Sequence, residues 1–168
     1  EGNLVLVFNG EIYNYQSIRK TLEEKGHIFK THTDSEVLVH AYEEYQTEML
    51  NHLRGMFAFV IWDREKEVLF GARDFFGIKP FYYYNENGAF VFGSEIKSIL
   101  KHDLVKKELN LNALETYLTF QYSAMEETFF KNIFRLPPAH FFIYEKGKMS
   151  IKRYWEPVFD AEDKSLEE

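Results

Sequence analysis

The chain has 168 residues with 20 basic and 27 acidic side chains, which gives a formal net charge of −7. The length suits one domain, and a hydrophobic fraction of 45% supports a sizeable core, so a disordered chain is excluded. The acidic balance argues against a nucleic-acid-binding protein. No apolar run is long enough to span a bilayer, and no signal peptide is visible. The absence of cysteine excludes disulfides within these residues and fits a cytoplasmic protein.

The first part of the chain predicts one strand followed by two helices. The apolar run over 4–8 is typical of a buried strand. Asn14 is a suitable N-cap for a helix over 15–25, and the following Gly26 is its natural end. The sequence Thr33-Asp34-Ser35-Glu36 is typical of a capping box that opens the second helix.

From Gly55 the pattern changes to short strands separated by turn residues. We predict two successive hairpins, over 56–72 and 81–92, and a last hairpin that turns at Lys146-Gly147. Short helices are expected over 94–100 and over 111–120, the second with Asn110 as its cap. This order of elements predicts an α+β fold in which helices pack on an antiparallel sheet.

The segment that contains Asn9 and Gly10 allows two interpretations. Asn-Gly is the strongest short signal for a type I′ hairpin turn, and spacing alone favours that structural role. Alternatively, the Asn9 side-chain amide and the Gly10 backbone N–H are adjacent donors suited to an oxyanion hole, where one donor contributes roughly 3–4 kcal/mol of transition-state stabilisation. Residues 11–15 do not alternate cleanly between polar and apolar, which argues against a hairpin.

Three other segments favour structural roles when they are read from the sequence alone. Asp34 lies at the positive end of a predicted helix, where a carboxylate caps the helix, although it could also bind a substrate ammonium group. Arg73-Asp74, followed by Gly77 and Pro80, predicts a shaped loop held by an ion pair. Ser94 is interpreted as a cap of the short helix that follows it.

The sequence predicts no metal site and no bound cofactor within these residues. His27 and His32 are five residues apart, and neither pairs with a carboxylate in a recognisable ligand pattern. No glycine-rich phosphate loop is present. The chain has 17 Phe, 11 Tyr and 2 Trp, spread over strands and helices alike, so most are predicted to lie in the core.

Taken in order, these motifs resemble the glutaminase domain of glutamine-hydrolysing asparagine synthetases, a class II glutamine amidotransferase domain of the N-terminal-nucleophile hydrolase type. The resemblance covers about residues 4–157, nearly the whole chain. The matching segments are Phe8-Asn9-Gly10-Glu11-Ile12-Tyr13-Asn14, Thr33-Asp34-Ser35-Glu36-Val37, Gly55-Met56-Phe57-Ala58-Phe59, Arg73-Asp74 with Gly77-Ile78-Lys79-Pro80, Ser94-Glu95-Ile96-Lys97, Leu136-Pro137-Pro138-Ala139-His140 and Arg153-Tyr154-Trp155.

The resemblance implies both a fold and a reaction. The fold has antiparallel sheets sandwiched between helix layers. The reaction hydrolyses glutamine to glutamate and ammonia, and the ammonia serves the ATP-dependent amidation of aspartate to asparagine. Asn9 and Gly10 would form the oxyanion hole, and Glu11 and Asp34 would hold the substrate ammonium group, since a carboxylate beside a fixed ammonium makes a strong charge-assisted contact. The resemblance therefore reverses the preference for a hairpin at Asn9-Gly10.

The chain departs from the family in its first residues. The family's nucleophile is an N-terminal cysteine several dozen residues before the Asn-Gly motif, whereas Glu1 precedes Asn9 by eight residues and no cysteine is present. We therefore expect residues 1–157 to be a partial glutaminase domain that lacks its N-terminal segment and is inactive alone. Residues 158–168 are expected to be an acidic linker or tail towards an absent synthetase domain, which would bind ATP and magnesium.

The expected partners are glutamine, that synthetase domain and a second copy of the chain in a homo-oligomer. Two other functions are kept as alternatives. The chain could be a non-catalytic module that binds an amino acid or a partner, because four substrate-site positions are present without the cysteine. It could also bind carbohydrate or protein through surface aromatic residues, which would explain the aromatic content but none of the ordered motifs.

Overall fold

The computed structural model describes residues 2–122 and 126–159. The strands in chain order are β1 (Leu4–Ile12), β2 (Gly55–Asp63), β3 (Val68–Arg73), β4 (Tyr82–Glu86), β5 (Ala89–Gly93), β6 (Ile133–Arg135), β7 (His140–Glu145) and β8 (Lys148–Arg153). The helices are α1 (Tyr15–Glu24), α2 (Asp34–Tyr45), α3 (Ile96–Ile99) and α4 (Leu111–Phe120), with a 3₁₀ helix at Gln46–Asn51. Most of the predicted acidic linker, residues 160–168, lies outside the described residues.

The strands form two antiparallel sheets that pack face to face. The five-stranded sheet has the order β1-β2-β3-β7-β8, and the three-stranded sheet has the order β5-β4-β6. Alternation along β2 places Phe57, Phe59 and Ile61 in the core shared with α1 and α2. The residues between them, Ala58 and Val60, face the second sheet.

A third apolar cluster completes a sandwich of four layers. Tyr84 on β4 and Ile133 on β6 pack against Ile99 of α3, on the side of the small sheet that faces away from the large one. The layers are therefore α1 and α2, the five-stranded sheet, the three-stranded sheet, and α3. The predicted α+β class, with antiparallel sheets between helix layers, is confirmed. Among the described residues, no helix is both long and apolar enough to cross a membrane.

The helix boundaries confirm two of the four predicted N-caps. The Thr33 side chain accepts a hydrogen bond from the Glu36 backbone N–H at the start of α2, and Asn110 accepts one from the Ala113 N–H at the start of α4. Asn14 is the residue before α1, but its side chain does not cap the helix. It accepts from the Arg54 N–H at 2.8 Å and donates to the His52 carbonyl at 2.9 Å, so it joins α1 to the chain before β2.

Two further structural interpretations from the sequence are wrong. Asn9-Gly10 forms no hairpin turn, because β1 continues through it and pairs with β2 over its whole length, from Leu4 opposite Asp63 to Ile12 opposite Gly55. Ser94 lies before α3, whose cap position is taken by Glu95 with no side-chain capping bond. The sequence also gave no signal for β6, which has three residues.

The loop after β3 is held by buried side chains that bind main-chain atoms, where the sequence predicted an ion pair. The Arg73 guanidinium donates to the carbonyls of Gly77, Lys79 and Leu136 at 2.6, 2.6 and 2.7 Å. Burial lowers the pKa of Arg73, and these hydrogen bonds offset the cost of burying its charge. The Asp74 carboxylate accepts from four backbone N–H groups, those of Phe57, Phe76, Ile78 and Lys79.

We predict that Arg73→Lys lowers the free energy of unfolding by about 3 kcal/mol, because one ammonium cannot reproduce the three hydrogen bonds of the guanidinium fork. Equilibrium urea unfolding measures the change. The matched control is Arg153→Lys, since Arg153 lies half-exposed at the surface and should change stability by less than about 0.5 kcal/mol. Equal stability of the two variants would contradict a structural role for the Arg73 fork.

Candidate active site

The backbone of Gly10 points towards an open sheet edge. Gly10 lies opposite Phe57 in the β1–β2 ladder. The N–H of Phe57 donates to Asp74 Oδ2 at 3.2 Å and its carbonyl accepts from the Asp74 N–H at 2.8 Å, so both groups point towards β3. Two residues that lie opposite each other in an antiparallel pair either exchange both hydrogen bonds, or each directs its N–H and C=O away from the other. The Gly10 N–H and C=O therefore point away from β2.

Nothing pairs with that side of β1 among the strands that the structure describes, since β1 is the end strand of its sheet. Ile12, two residues further along, supports the same orientation because its N–H also points outward and donates to Asp34 Oδ2 at 3.0 Å. A side chain could not occupy position 10. A Cβ there would lie 2.2 Å from the carbonyl oxygen of Met56, so glycine allows the two strands to approach closely.

The side chain of Asn9 lies on the face of β1 that is directed towards the three-stranded sheet. Its Nδ2 donates to the hydroxyl of Ser94 at 3.1 Å, in a partly buried position next to the three-stranded sheet. A side-chain amide carries two N–H donors, so this bond uses one and fixes the direction of the second. Asn9 and Ser94 also line a cavity of about 170 Å³ whose other walls are mainly apolar residues, among them Val7, Phe81 and Phe92.

The two predicted carboxylates lie near this end of β1. Asp34, the first residue of α2, binds the main chain of Ile12 and so ties the start of the helix to the open edge. Glu11 is exposed, and strand alternation places its side chain on the same face as that of Asn9. The fold thus brings residues from positions 9–12 and 34 to one end of the sheet.

The role predicted for Ser94 from the sequence differs from its position in the structure. A serine before a short helix is typical of an N-cap, so spacing favoured that role. The structure instead places its hydroxyl against Asn9, 85 residues away in the sequence. No local signal could identify this contact, because it depends on how the two sheets pack.

The solved structures that resemble this chain define its fold class. Glutamine phosphoribosylpyrophosphate amidotransferase from Bacillus subtilis superposes with a TM-score of 0.64 at 21% identity, covering 92% of this chain and 30% of that one. A glutamine aminotransferase class-II domain protein from Silicibacter pomeroyi superposes with a TM-score of 0.55 at 14% identity, covering 90% of this chain and 68% of that one. The predicted N-terminal-nucleophile hydrolase fold of glutamine amidotransferases is confirmed.

The sequence comparison identifies the family itself. Residues 1–155 match the glutamine amidotransferase domain, and the chain belongs to that family. It is 42% identical over 151 residues to asparagine synthetase [glutamine-hydrolyzing] 3 of Bacillus subtilis, which covers 89% of this chain. The chain spans about a quarter of the length of the curated asparagine synthetases it matches, 25% in this case.

The family resemblance implies that the full-length protein hydrolyses glutamine, and for that reaction we predict that Ser94→Ala lowers kcat several-fold and leaves KM unchanged. The lost hydrogen bond is worth about 1 kcal/mol, and it orients a donor without contacting the substrate. Steady-state glutaminase kinetics give the two constants. The matched control is Ser98→Ala, whose hydroxyl binds the Glu95 carbonyl beside α3. If kcat falls by the same factor in both variants, the Ser94–Asn9 contact has no specific effect on the reaction.

Proposed function

We propose that Glu11 and Asp34 bind glutamine, and that Asn9 and Gly10 stabilise the oxyanion formed during its hydrolysis to glutamate and ammonia. The observation that carries the proposal is the pair of adjacent donors on β1, the outward N–H of Gly10 and the second N–H of the Asn9 amide. A tetrahedral intermediate places a negative oxygen where two such donors can bind it. Glycine leaves space for that oxygen because it has no side chain.

The position of Asp34 supports glutamine as the substrate. Successive residues of a strand rise by about 3.3 Å, so the Gly10 and Ile12 N–H groups are separated by roughly 6–7 Å along the open edge. The α-nitrogen of an extended glutamine lies roughly 5 Å from its side-chain amide carbon. A substrate amide at Gly10 would therefore bring the ammonium close to the carboxylate that binds Ile12, and Glu11 adds a second negative charge at the same end.

The covalent step needs a nucleophile from outside these 168 residues, because the chain has no cysteine. We propose an N-terminal cysteine of a longer chain, as the family resemblance implies. Its sulfur attacks the amide carbon, the amide nitrogen leaves as ammonia after protonation, and water then attacks the thioester to release glutamate. The contribution of this chain is to hold the substrate and to stabilise the oxyanion in both steps.

The whole protein is proposed to be a glutamine-hydrolysing asparagine synthetase located in the cytoplasm. Residues 1–157 would form part of the glutaminase domain, and residues 158–168 would link it to a synthetase domain that uses ATP and magnesium to amidate aspartate. The names of the relatives and the quarter of their length that the chain covers support this assignment. We also propose that the whole protein forms a homo-oligomer.

Exposed apolar side chains support a contact with that synthetase domain. On α4, Leu111 and Leu118 are 67% and 72% exposed, and Phe120 at its end is 60% exposed. Phe76 and Ile78, in the loop that Asp74 holds, are 72% and 58% exposed. Large apolar side chains with this much exposure are typical of protein contacts, and a further domain of the same chain would cover them.

We predict that Asn9→Ala lowers the glutaminase kcat of the full-length protein by about 10²–10³-fold with little change in KM, because the lost donor acts on the transition state. Glutamate release in a steady-state assay measures both constants. Ammonia-dependent asparagine formation by the same variant is the control and should keep its rate, since it bypasses glutamine hydrolysis. An unchanged glutaminase kcat would remove Asn9 from the oxyanion hole.

We predict that Asp34→Asn raises the KM for glutamine by tenfold or more, because the neutral amide cannot pair with the substrate ammonium. The asparagine can still accept from the Ile12 N–H through its carbonyl oxygen, so the start of α2 should stay in place. The thermal melting temperature provides that check. A KM equal to that of the wild type, with an unchanged melting temperature, would leave Asp34 with a structural role alone.

The isolated 168-residue chain separates catalysis from binding. We predict no glutaminase activity above a protein-free blank, because the nucleophile is absent. Calorimetry with millimolar glutamine tests the alternative of a non-catalytic binding module. Saturable glutamine binding that Asp34→Asn weakens would favour the binding module, for a chain that occurs naturally in this form. The absence of binding heat would argue against the module and would not affect the glutaminase assignment.

A further inference from the structure

The connection between α1 and α2 brings together side chains that the glutaminase proposal does not use. His27 lies just after α1, whereas His40 and Glu43 lie on α2, 13 and 16 positions further along. Spacing in the sequence predicted no metal site, since His27 and His40 are distant there. The fold places one ligand atom of each residue within 4.8 Å of the other two.

The distances among these atoms match the ligands of one small cation. The Nδ1 atoms of His27 and His40 are 3.2 Å apart, and Glu43 Oε2 lies 3.0 Å from His40 Nδ1 and 3.7 Å from His27 Nδ1. Zinc binds imidazole nitrogen and carboxylate oxygen at about 2.0–2.2 Å in tetrahedral geometry, which separates neighbouring ligand atoms by roughly 3.3–3.5 Å. The three observed separations lie around this value.

The opposite nitrogens of both rings face carboxylates. His27 Nε2 is 3.2 Å from Glu44 Oε2, and His40 Nε2 is 3.8 Å from Glu36 Oε1. Histidines that bind metals usually donate their other N–H to such a group, which fixes the tautomer and orients the ring. A proton held on Nε2 leaves the Nδ1 lone pairs aimed at the shared point beside Glu43.

Both of these outer carboxylates are held in place by other contacts. Glu36 accepts from the backbone N–H groups of Lys30 and Thr31 at 2.7 and 2.6 Å, and from the Thr31 hydroxyl at 2.6 Å. Glu44 accepts from the Lys25 ammonium at 2.6 Å. The carboxylates that face the two Nε2 atoms therefore have fixed positions.

We propose that His27, His40 and Glu43 bind a divalent transition-metal cation, with zinc as the first choice, which fastens the α1–α2 connection to α2. When both rings carry their proton on Nε2, two Nδ1 lone pairs and a carboxylate converge on one point, and a cation there relieves their mutual repulsion; the competing arrangement is a proton shared between the two Nδ1 atoms. Two imidazoles and one carboxylate suit zinc and its neighbours, whereas magnesium and calcium prefer oxygen ligands alone. Glu43 is 46% exposed, so water can complete the coordination.

The metal would have a structural role outside the candidate active site. The segment it would hold, residues 25–33, leads directly into Thr33 and Asp34 at the start of α2. His40 is six residues from Asp34, which is about 9 Å along the helix axis. A cation here would stabilise the path of the connection without contacting a substrate bound at β1.

The experiment uses the full-length protein, stripped of metal with a chelator and then titrated with zinc against a chromophoric competitor. The wild type should bind one more zinc ion than His27→Asn, or bind it at least tenfold more tightly. Glu44→Gln should weaken binding about tenfold, as expected for an outer carboxylate. His32→Asn is the matched control, because it removes an exposed imidazole from the same connection and should leave binding unchanged.

Two further readouts keep the result independent of enzyme activity. Zinc should raise the melting temperature of the wild type and of His32→Asn by several degrees more than that of His27→Asn. Cobalt in place of zinc should give the visible absorption bands of a tetrahedral site in the same two proteins. If circular dichroism shows that His27→Asn does not fold, Glu43→Gln at its exposed position replaces it. Equal zinc binding by the wild type and the ligand variants would overturn the proposal and leave a shared proton between the two rings.

Discussion

The hydrogen bonds between Asp74 and Phe57 determine the orientation of the candidate site. Asp74 binds both backbone groups of Phe57. Its Oδ2 accepts from the Phe57 N–H at 3.2 Å, and its own N–H donates to the Phe57 carbonyl at 2.8 Å. Because both groups point to one side, Gly10 on the opposite strand must direct its own N–H outward. A one-residue slip of this register would turn that donor into the sheet and reverse which face carries Asn9.

The rest of the Arg73–Asp74 loop makes that register rigid. The Asp74 backbone carbonyl accepts from Gly77 and Ala139, and the Tyr154 hydroxyl donates to the Arg73 carbonyl at 2.8 Å. Burial raises the pKa of Tyr154 above its ordinary range, so the hydroxyl stays protonated and remains a donor. The residues that hold β2 in place therefore come from the middle and the end of the described chain.

The sequence predicted those elements whose signals are local. Thr33 and Asn110 cap their helices as expected, and Lys146-Gly147 turns the last hairpin with both residues at positive φ. The prediction failed where tertiary packing overrides local preference. Asn9-Gly10 has the chemistry of a turn, but nine residues of pairing with β2 and the burial of Ile12 keep the chain extended.

The candidate site divides in the same way. Its residues on β1 and at the start of α2 could be selected from the sequence, because the motif that contains them is contiguous and resembles a known family. The contact between Asn9 and Ser94 could not, nor could the pairing of His27 with His40, because each joins residues from separate elements. Contacts of this kind become visible only when strand register and helix packing are known.

Asp34 shows why a structural role does not exclude a functional one. Among its described contacts, Oδ2 accepts from the Ile12 N–H. The helix that begins with Asp34 is fixed by the Thr33 cap and by the hydrogen bonds that Glu36 accepts from the N–H groups of Lys30 and Thr31. A carboxylate that binds a substrate must be held within a fraction of an ångström by its surroundings. The main-chain bond through Oδ2 provides that constraint and leaves the geometry of Oδ1 to be set by the ligand, so the bonds that begin α2 are the ones that would prepare it to bind an ammonium group.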